Sequence, residues 1–376
     1  MAVTDVRKRT ILIGACAIYM ALYLRALIGH GAPYVFGDFF ALWSYPRIAM
    51  TRAVATLYDP AQLRQGQIAL GLMPPWETWF PYPPTALLPL WPIGLLPYQA
   101  AFVAWIALSL GAYLISIGGL TRSLAVLALL APASTVAIAA GQSGFLLAAL
   151  LIGGLRSLAR RPLLAGCLFG LLTCKPQFGL LLPVALLAAG QWRCVGAAAG
   201  MTAVLALVAT LAFGPDAWAA WLHAMPNYAA WFAAGSVADR LMPTVLADLQ
   251  SLGAPDGIAR LAQGTVSLLS ALLTGWVVRR RPADLAIPAI AVATCLAMPH
   301  AFIYDLPMVA AAVALLIAAR TRRGLGFTMP EAAVLLLALI FPAIMAASAY
   351  HLPIGPAAMI LLLAVIVRPK PSEMHS

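Results

Sequence analysis

The run Cys194–Phe213 reads CVGAAAGMTAVLALVATLAF: twenty residues, none charged, with Arg193 just before it. A helix rises 1.5 Å per residue, so this run covers about 30 Å, the hydrocarbon thickness of a bilayer. Its apolar residues do not alternate, so it does not read as a strand with one wet face. Only helices and closed barrels satisfy their own backbone in lipid. The run is therefore read as a spanning helix. The same pattern recurs outward along the chain. Spans are expected at about 10–30, 98–118, 124–140, 143–159, 162–174, 176–190, 258–278, 283–298, 304–319, 330–348 and 353–367, which makes twelve with 194–213. The chain is expected to be an all-α polytopic membrane protein, a single integral membrane domain over 1–376.

Composition agrees. Hydrophobic residues make up 63% of the chain and charged residues 9%, against roughly 25% charged in soluble domains. The mean hydropathy is +0.93. The net charge of +11 does not indicate nucleic acid, because 16 of the 23 basic residues form short clusters between apolar runs. These are Arg7-Lys8-Arg9, Arg122, Arg156-Arg160-Arg161, Arg193, Arg279-Arg280-Arg281, Arg320-Arg322-Arg323 and Arg368-Lys370. Such clusters mark cytoplasmic ends. Both termini are then cytoplasmic. Ile11–Gly29 resembles a signal peptide, but it holds Arg25 and lacks a small-x-small cleavage site, so it reads as a retained span. The five cysteines are scattered through apolar stretches with no metal-ligand spacing. No metal and no cofactor is expected.

This topology leaves two long loops on the outer, periplasmic side of a bacterial inner membrane, 31–97 and 214–257. Juxtamembrane helices are expected in the first. Its segment 84–97 is apolar but broken by Pro89, Pro92 and Pro97, and is expected to dip into the outer leaflet. Eight of the twelve acids fall outside: Asp38, Asp59, Glu77, Asp216, Asp239, Asp248, Asp256 and Asp305.

Candidate chemistry gathers on that side. Asp38, in Gly37-Asp38-Phe39-Phe40, is an acid at the membrane boundary, where a carboxylate needs a partner or a role. It can take a proton from a hydroxyl, or simply cap the helix that follows. Asp59 before Pro60 reads first as a turn or helix cap, and Ala61–Leu70 as an amphipathic surface helix. Trp76, Trp79, Phe80 and Tyr82 form an aromatic approach that is either an interfacial belt or a wall for a sugar or lipid. Lys175, in Lys175-Pro176-Gln177, is the only lysine between Lys8 and Lys370. At the top of a short hairpin it requires an anion or a wet cavity, and a phosphate contact outweighs a snorkelling lysine. The stretch Pro299-His300-Ala301-Phe302-Ile303-Tyr304-Asp305 puts His, Tyr and Asp into one turn. His300 can contact a phosphate there, and Asp305 can orient it or pair with a base. Gln142, Gln177 and Arg240 are further candidates for lining a site, against the plainer reading of loop residues.

In order along the chain, Gly37-Asp38-Phe39, Leu57-Tyr58-Asp59-Pro60, Tyr82-Pro83-Pro84, Gly141-Gln142, Lys175-Pro176, Phe213-Gly214-Pro215 and Pro299–Asp305 resemble glycosyltransferase family 87. These are polyprenyl-phosphate-mannose-dependent α-mannosyltransferases of the GT-C class. The resemblance covers about 35 to 320; 330–367 matches little. It implies a GT-C-like bundle with its active site at the outer face. It also implies Asp38 as catalytic base, with Lys175 and His300 on the donor phosphate. The expected partners are a polyprenyl-phosphate sugar donor, membrane lipids and a glycolipid or glycan acceptor. The expected reaction moves a hexose, mannose by resemblance, onto a hydroxyl with inversion. The sequence does not read the sugar, so arabinose or another pentose or hexose stays open. So does a secondary transporter or a flippase for lipid-linked sugars, although no two halves repeat.

Overall fold

The computed structural model describes residues 6–29, 37–71, 79–233, 240–348 and 350–368. Trp76, Glu77, Asp239 and Lys370 lie outside the described residues. Among the described residues there are eighteen α-helices and no strand.

After α1 (Val6–Gly29) come three shorter helices, α2 (Gly37–Ala49), α3 (Pro60–Ala69) and α4 (Leu87–Gly94). They share an aromatic core that includes Phe39, Phe40, Trp43, Tyr45, Tyr58 and Phe80. Asp59 starts α3: its carboxylate accepts from the backbone N–H groups of Ala61 and Gln62, and Pro60 occupies the first helical position. The capping alternative for Asp59 is thus what the structure displays. Despite its prolines, 87–94 closes as a helix: Pro89 stands in the first turn, where no intrahelical donor is required, and Pro92 lies inside the helix.

Each of the twelve expected apolar segments holds a helix, but length divides them. Four are long and apolar enough to cross a bilayer: α5 (Tyr98–Ser116), α11 (Trp192–Phe213), α14 (Asp256–Arg280) and α17 (Met329–Ala347). A fifth exists if α6 (Arg122–Leu130) and α7 (Pro132–Ala140) count as one span bent by 54°. The bend falls where Pro132 removes a backbone donor. The inner helices are shorter. These are α8 (Gly144–Ser157), α15 (Ala283–Ala297), α16 (Pro307–Arg322) and α18 (Gly355–Val367), with 13 to 16 residues each. At helical rise they reach about 20–24 Å. α15 and α16 are buried along almost their whole length, so they form the core of the bundle. α9 (Pro162–Gly170) and α10 (Leu182–Ala188) make a hairpin with Lys175 at its tip. Gly166 and Gly170, one turn apart, press α9 onto α11; a β-carbon on either would run into Ala197, Cys194 or Met201.

Hydrogen bonds define two ends of the bundle. At one, arginines reach the last carbonyls of helices: Arg279 to Ala188, Arg281 to Val367 and Arg320 to Val365. Cations at helix C-termini are favourable. Arg320 also meets Glu331 at 3.0 Å, and Arg323 meets Asp284 at 2.7 Å. At the other end, α13 (Val245–Ser251) is tied down through Gln263, which accepts from the Leu246 N–H and donates to the Leu296 carbonyl. His351, ahead of α18, lies 2.7 Å from Asp248 of α13. α15 runs from the arginine end to this second end, and α16 runs back.

Candidate functional site

The turn between α15 and α16 holds Asp305, which is fully buried. One of its oxygens lies 2.8 Å from Lys175 Nζ. The other accepts the Phe302 N–H at 3.1 Å. Lys175 is itself only 5% exposed. A buried lysine is tolerated when an opposite charge meets it, and here residues 130 apart in the chain supply each other. The ammonium also lies over the rings of Phe178 and Tyr304, at 5.3 and 5.5 Å. The hairpin tip and the interhelical turn thus form one unit. Asp305 serves Lys175 and its own turn, where the sequence had offered it to His300.

Asp38 stands in the first turn of α2. Its surface is open to solvent, yet protein crowds it closely enough to push its carboxyl up to about 6. Burial is the main cause; Lys175 draws the value down and Asp305 pushes it up. Asp38 is thus accessible and within electrostatic reach of the buried pair.

The turn Gly141-Gln142-Ser143-Gly144 joins the two parts. Gly141 has a φ of +64°, a left-handed value that favours glycine. A β-carbon there would collide with Phe39, the neighbour of Asp38. A β-carbon on Gly144 would collide with the Tyr304 carbonyl, beside Asp305. The two glycines let this turn wedge between the acid and the ion pair. Gln142 is buried within it, and its side-chain oxygen accepts the Ser143 N–H at 3.4 Å.

Aromatic residues line the surroundings. Tyr45 lies almost two full turns beyond Asp38 on α2, and its hydroxyl donates to the Trp79 carbonyl at 2.6 Å. Tyr23, Tyr45, Tyr82 and Tyr304 all sense the charge of Asp38. Trp79 packs against Tyr228 and Trp231 of α12 (Asp216–Ala233), with ring centroids 5.9 and 6.0 Å apart. Phe302 stacks on Tyr304 at 5.0 Å.

The structure therefore brings together Asp38, Lys175, Asp305, Tyr304, Tyr82 and Trp79. His300 sits half-buried in the Asp305 turn, and Gln177 half-buried just after Lys175. Arg240 donates to the Ser348 carbonyl at 3.4 Å and shares Tyr23 as an electrostatic neighbour with Asp38. Asp59 spends its oxygens on α3 and on the Gln62 side chain, 2.8 Å away. Sequence reading missed Tyr45, Tyr228 and Trp231. The spacings Asp38 to Tyr45 and Tyr228 to Trp231, each close to one face of a helix, were the available signals. Among the described residues, no group of three His, Cys, Asp or Glu side chains could hold a metal ion.

The model of one family, glycosyltransferase family 87, matches residues 79–299, more than half of the chain. No curated protein and no solved structure matches. The matched range takes in Trp79, Tyr82, Gln142, Lys175, Gln177 and Arg240. Asp38, His300, Tyr304 and Asp305 fall outside it, so their grouping rests on geometry.

Proposed function

The chain belongs to glycosyltransferase family 87 and is a membrane glycosyltransferase, and we propose that it moves mannose from a polyprenyl-phosphate donor to an acceptor hydroxyl at the periplasmic face, with inversion. The observation that carries this reading is Asp38, open to solvent and within electrostatic reach of the Lys175–Asp305 pair.

Asp38 takes the proton of the acceptor hydroxyl as its oxygen attacks the anomeric carbon. The bond from that carbon to the phosphate oxygen breaks, and the polyprenyl phosphate leaves with the electron pair. A carboxyl held near 6 is a stronger base than an ordinary aspartate and is still ionised at neutral pH. Lys175 spends one N–H on Asp305, which leaves two donors for a phosphate oxygen. Asp305 holds the ammonium in place before substrate arrives, so little reorganisation is required during the reaction. His300, on the same turn, is assigned to the leaving phosphate. Tyr82, Tyr304, Gln142, Gln177 and Arg240 are assigned to the walls.

Nucleotide sugars are not generally available outside the inner membrane, which favours a lipid-carried donor. The test is transfer by the purified full-length protein from synthetic, labelled polyprenyl-phosphate mannose to a membrane lipid extract. Label is expected in a new product with the wild type and absent with Asp38→Asn. Near-normal transfer by that variant would sink the assignment of the base, and label that stays in the donor would favour transport.

A further inference from the structure

Arginines of a membrane protein gather at its cytoplasmic ends, and two arginines of this chain break that pattern. Arg47 lies in the last turn of α2, and Arg52 three residues past its end. Both line one pocket with Gly94 and Leu95, just ahead of α5. Arg47 donates to the Gly94 and Leu96 carbonyls at 3.1 and 3.3 Å. α5 is long and apolar enough to cross a bilayer. Its far end reaches the arginine end of the bundle: Gly119 lies there beside Arg156, an electrostatic neighbour of Arg322. Arg47 and Arg52 therefore belong to the opposite end, at the depth where a spanning helix leaves the hydrocarbon.

The pocket measures about 320 Å³ and lies among α2, α3 and α4. Two glycines set its walls. A β-carbon on Gly66 of α3 would run into Ile48, and one on Gly94 of α4 into Pro46. Small residues thus let α3 and α4 close on the end of α2. Among the described residues neither guanidinium meets a carboxylate. Arg47 lies over the Trp43 ring at 4.7 Å and gives only Nη1 to carbonyls, which leaves the donors on Nε and Nη2. Arg52 makes one long bond, to the Gln62 carbonyl at 3.4 Å. Asp59, seven residues further on, spends its oxygens on α3 and Gln62. The same pocket has an apolar rim, where Met50 and Leu95 are 37% and 66% exposed.

Two cations with no acid between them select an anion, and guanidinium forks match phosphate oxygens. A free phosphate would use the charge and leave Met50 and Leu95 in water. A phospholipid uses both, with its phosphate on the arginines and a chain past Leu95 toward α5, which is open at Val103 and Ala107. A zwitterionic headgroup would add a cation where two already stand, so the lipid carries net negative charge. We propose that Arg47 and Arg52 bind the phosphate of an anionic phospholipid in the leaflet at the site end. The pocket is separate from the site: Asp38 and Arg47 stand nine residues apart on α2, about 14 Å along its axis. The proposal does not depend on which sugar or donor the chain uses.

The test uses the purified full-length protein, stripped of lipid in detergent, with three probes: dioleoylphosphatidylglycerol, dioleoylphosphatidylcholine and inorganic phosphate. Thermal unfolding gives Tm, and native mass spectrometry counts retained lipid. Phosphatidylglycerol is expected to raise Tm by about 3 °C or more, and the other two probes by less than about 1 °C. Arg52 is exposed, so Arg52→Gln is expected to keep the lipid-free Tm. It is expected to weaken phosphatidylglycerol binding at least about tenfold, to lose the Tm shift, and to lack one lipid that the wild type retains. Arg52→Lys keeps the charge and is expected to bind within about threefold of the wild type. Arg260, at the same end of the bundle, already pairs with Asp256 at 2.6 Å, and Arg260→Gln is expected to bind like the wild type. Equal stabilisation by phosphatidylcholine or by inorganic phosphate overturns the anionic lipid. Binding that survives in the Arg47→Gln, Arg52→Gln double variant overturns the pocket. So does an equal loss in Arg260→Gln, which would mean that overall charge, not this pair, holds the lipid.

Discussion

On the proposed mechanism, Asp38 is where a single proton decides activity. Its carboxyl is held up at about 6, mainly by burial, against an ordinary value of 3.8. The ionised form is the base, so kcat/KM is expected to fall about tenfold per pH unit below 6 and to level off above it. An unshifted aspartate would level off two units lower. A pH profile from 4 to 8 decides between them. Stability runs the other way. The folded protein prefers the neutral carboxyl, so stability is lost as pH rises from about 4 through 6. Asp38→Asn removes a charge the fold disfavours, and its Tm at pH 8 is expected to equal or exceed that of the wild type while transfer is abolished. A lower Tm would reveal a structural role for the carboxylate. Lys175 behaves differently, because Lys175→Ala leaves Asp305 buried and uncompensated. Breaking such a pair destabilises by about 3–5 kcal/mol, whereas replacing both members with apolar groups is often neutral. The double variant Lys175→Met, Asp305→Leu is therefore expected to recover most of the lost Tm in thermal unfolding and none of the lost transfer. Recovery of transfer would show that Lys175 does not touch the donor.

Among the elements, the turn between α7 and α8 controls how closely the acid and the ion pair approach. Gly144→Ala would drive a β-carbon into the Tyr304 carbonyl, which is backbone and cannot swing aside. The turn that carries Asp305 must move instead. Transfer by Gly144→Ala is expected to drop at least about tenfold, since misplacement of an ångström has effects of that order or larger. Gly153→Ala in the same helix meets Ser116 only at 3.6 Å, an ordinary contact, and is expected to keep wild-type rates. Equal behaviour of the two variants would show that the turn does not set the geometry. This scale also explains what the sequence could and could not disclose. Asp38 and Lys175 stood out because isolated charges in apolar surroundings have few innocent explanations. The pairing of Lys175 with Asp305 was hidden, since it bridges 130 residues and no local pattern encodes it. Tyr45, Tyr228 and Trp231 were hidden for another reason: aromatic residues at a membrane boundary are ordinary there. Only tertiary packing distinguishes a wall from a belt. Helix positions were legible from apolar runs bounded by arginine and proline. Helix function was less so, because inner helices such as α15 and α16 are apolar on all sides for reasons of core packing as well as of lipid contact.

For the whole molecule, the decisive property is that the arginine end and the site end are opposite. Arg279, Arg281, Arg320 and Arg323 fasten the former, and α15 and α16 carry the chain from there to Asp305 and back. If arginine clusters face the cytoplasm, the end that holds Asp38 faces out. Side-directed labelling tests this. The five native cysteines are free and would first be replaced. Single cysteines are then placed at Arg160, exposed between α8 and α9, and at Leu252, exposed at the end of α13. In right-side-out vesicles an impermeant maleimide is expected to label Leu252→Cys at once, and Arg160→Cys only after permeabilisation. The reverse pattern would turn the site end toward the cytoplasm, where nucleotide sugars are plentiful and the case for a lipid-carried donor loses its premise. Labelling of both from outside would mean that the short inner helices do not seal the bundle, and that four or five long helices alone separate the two sides.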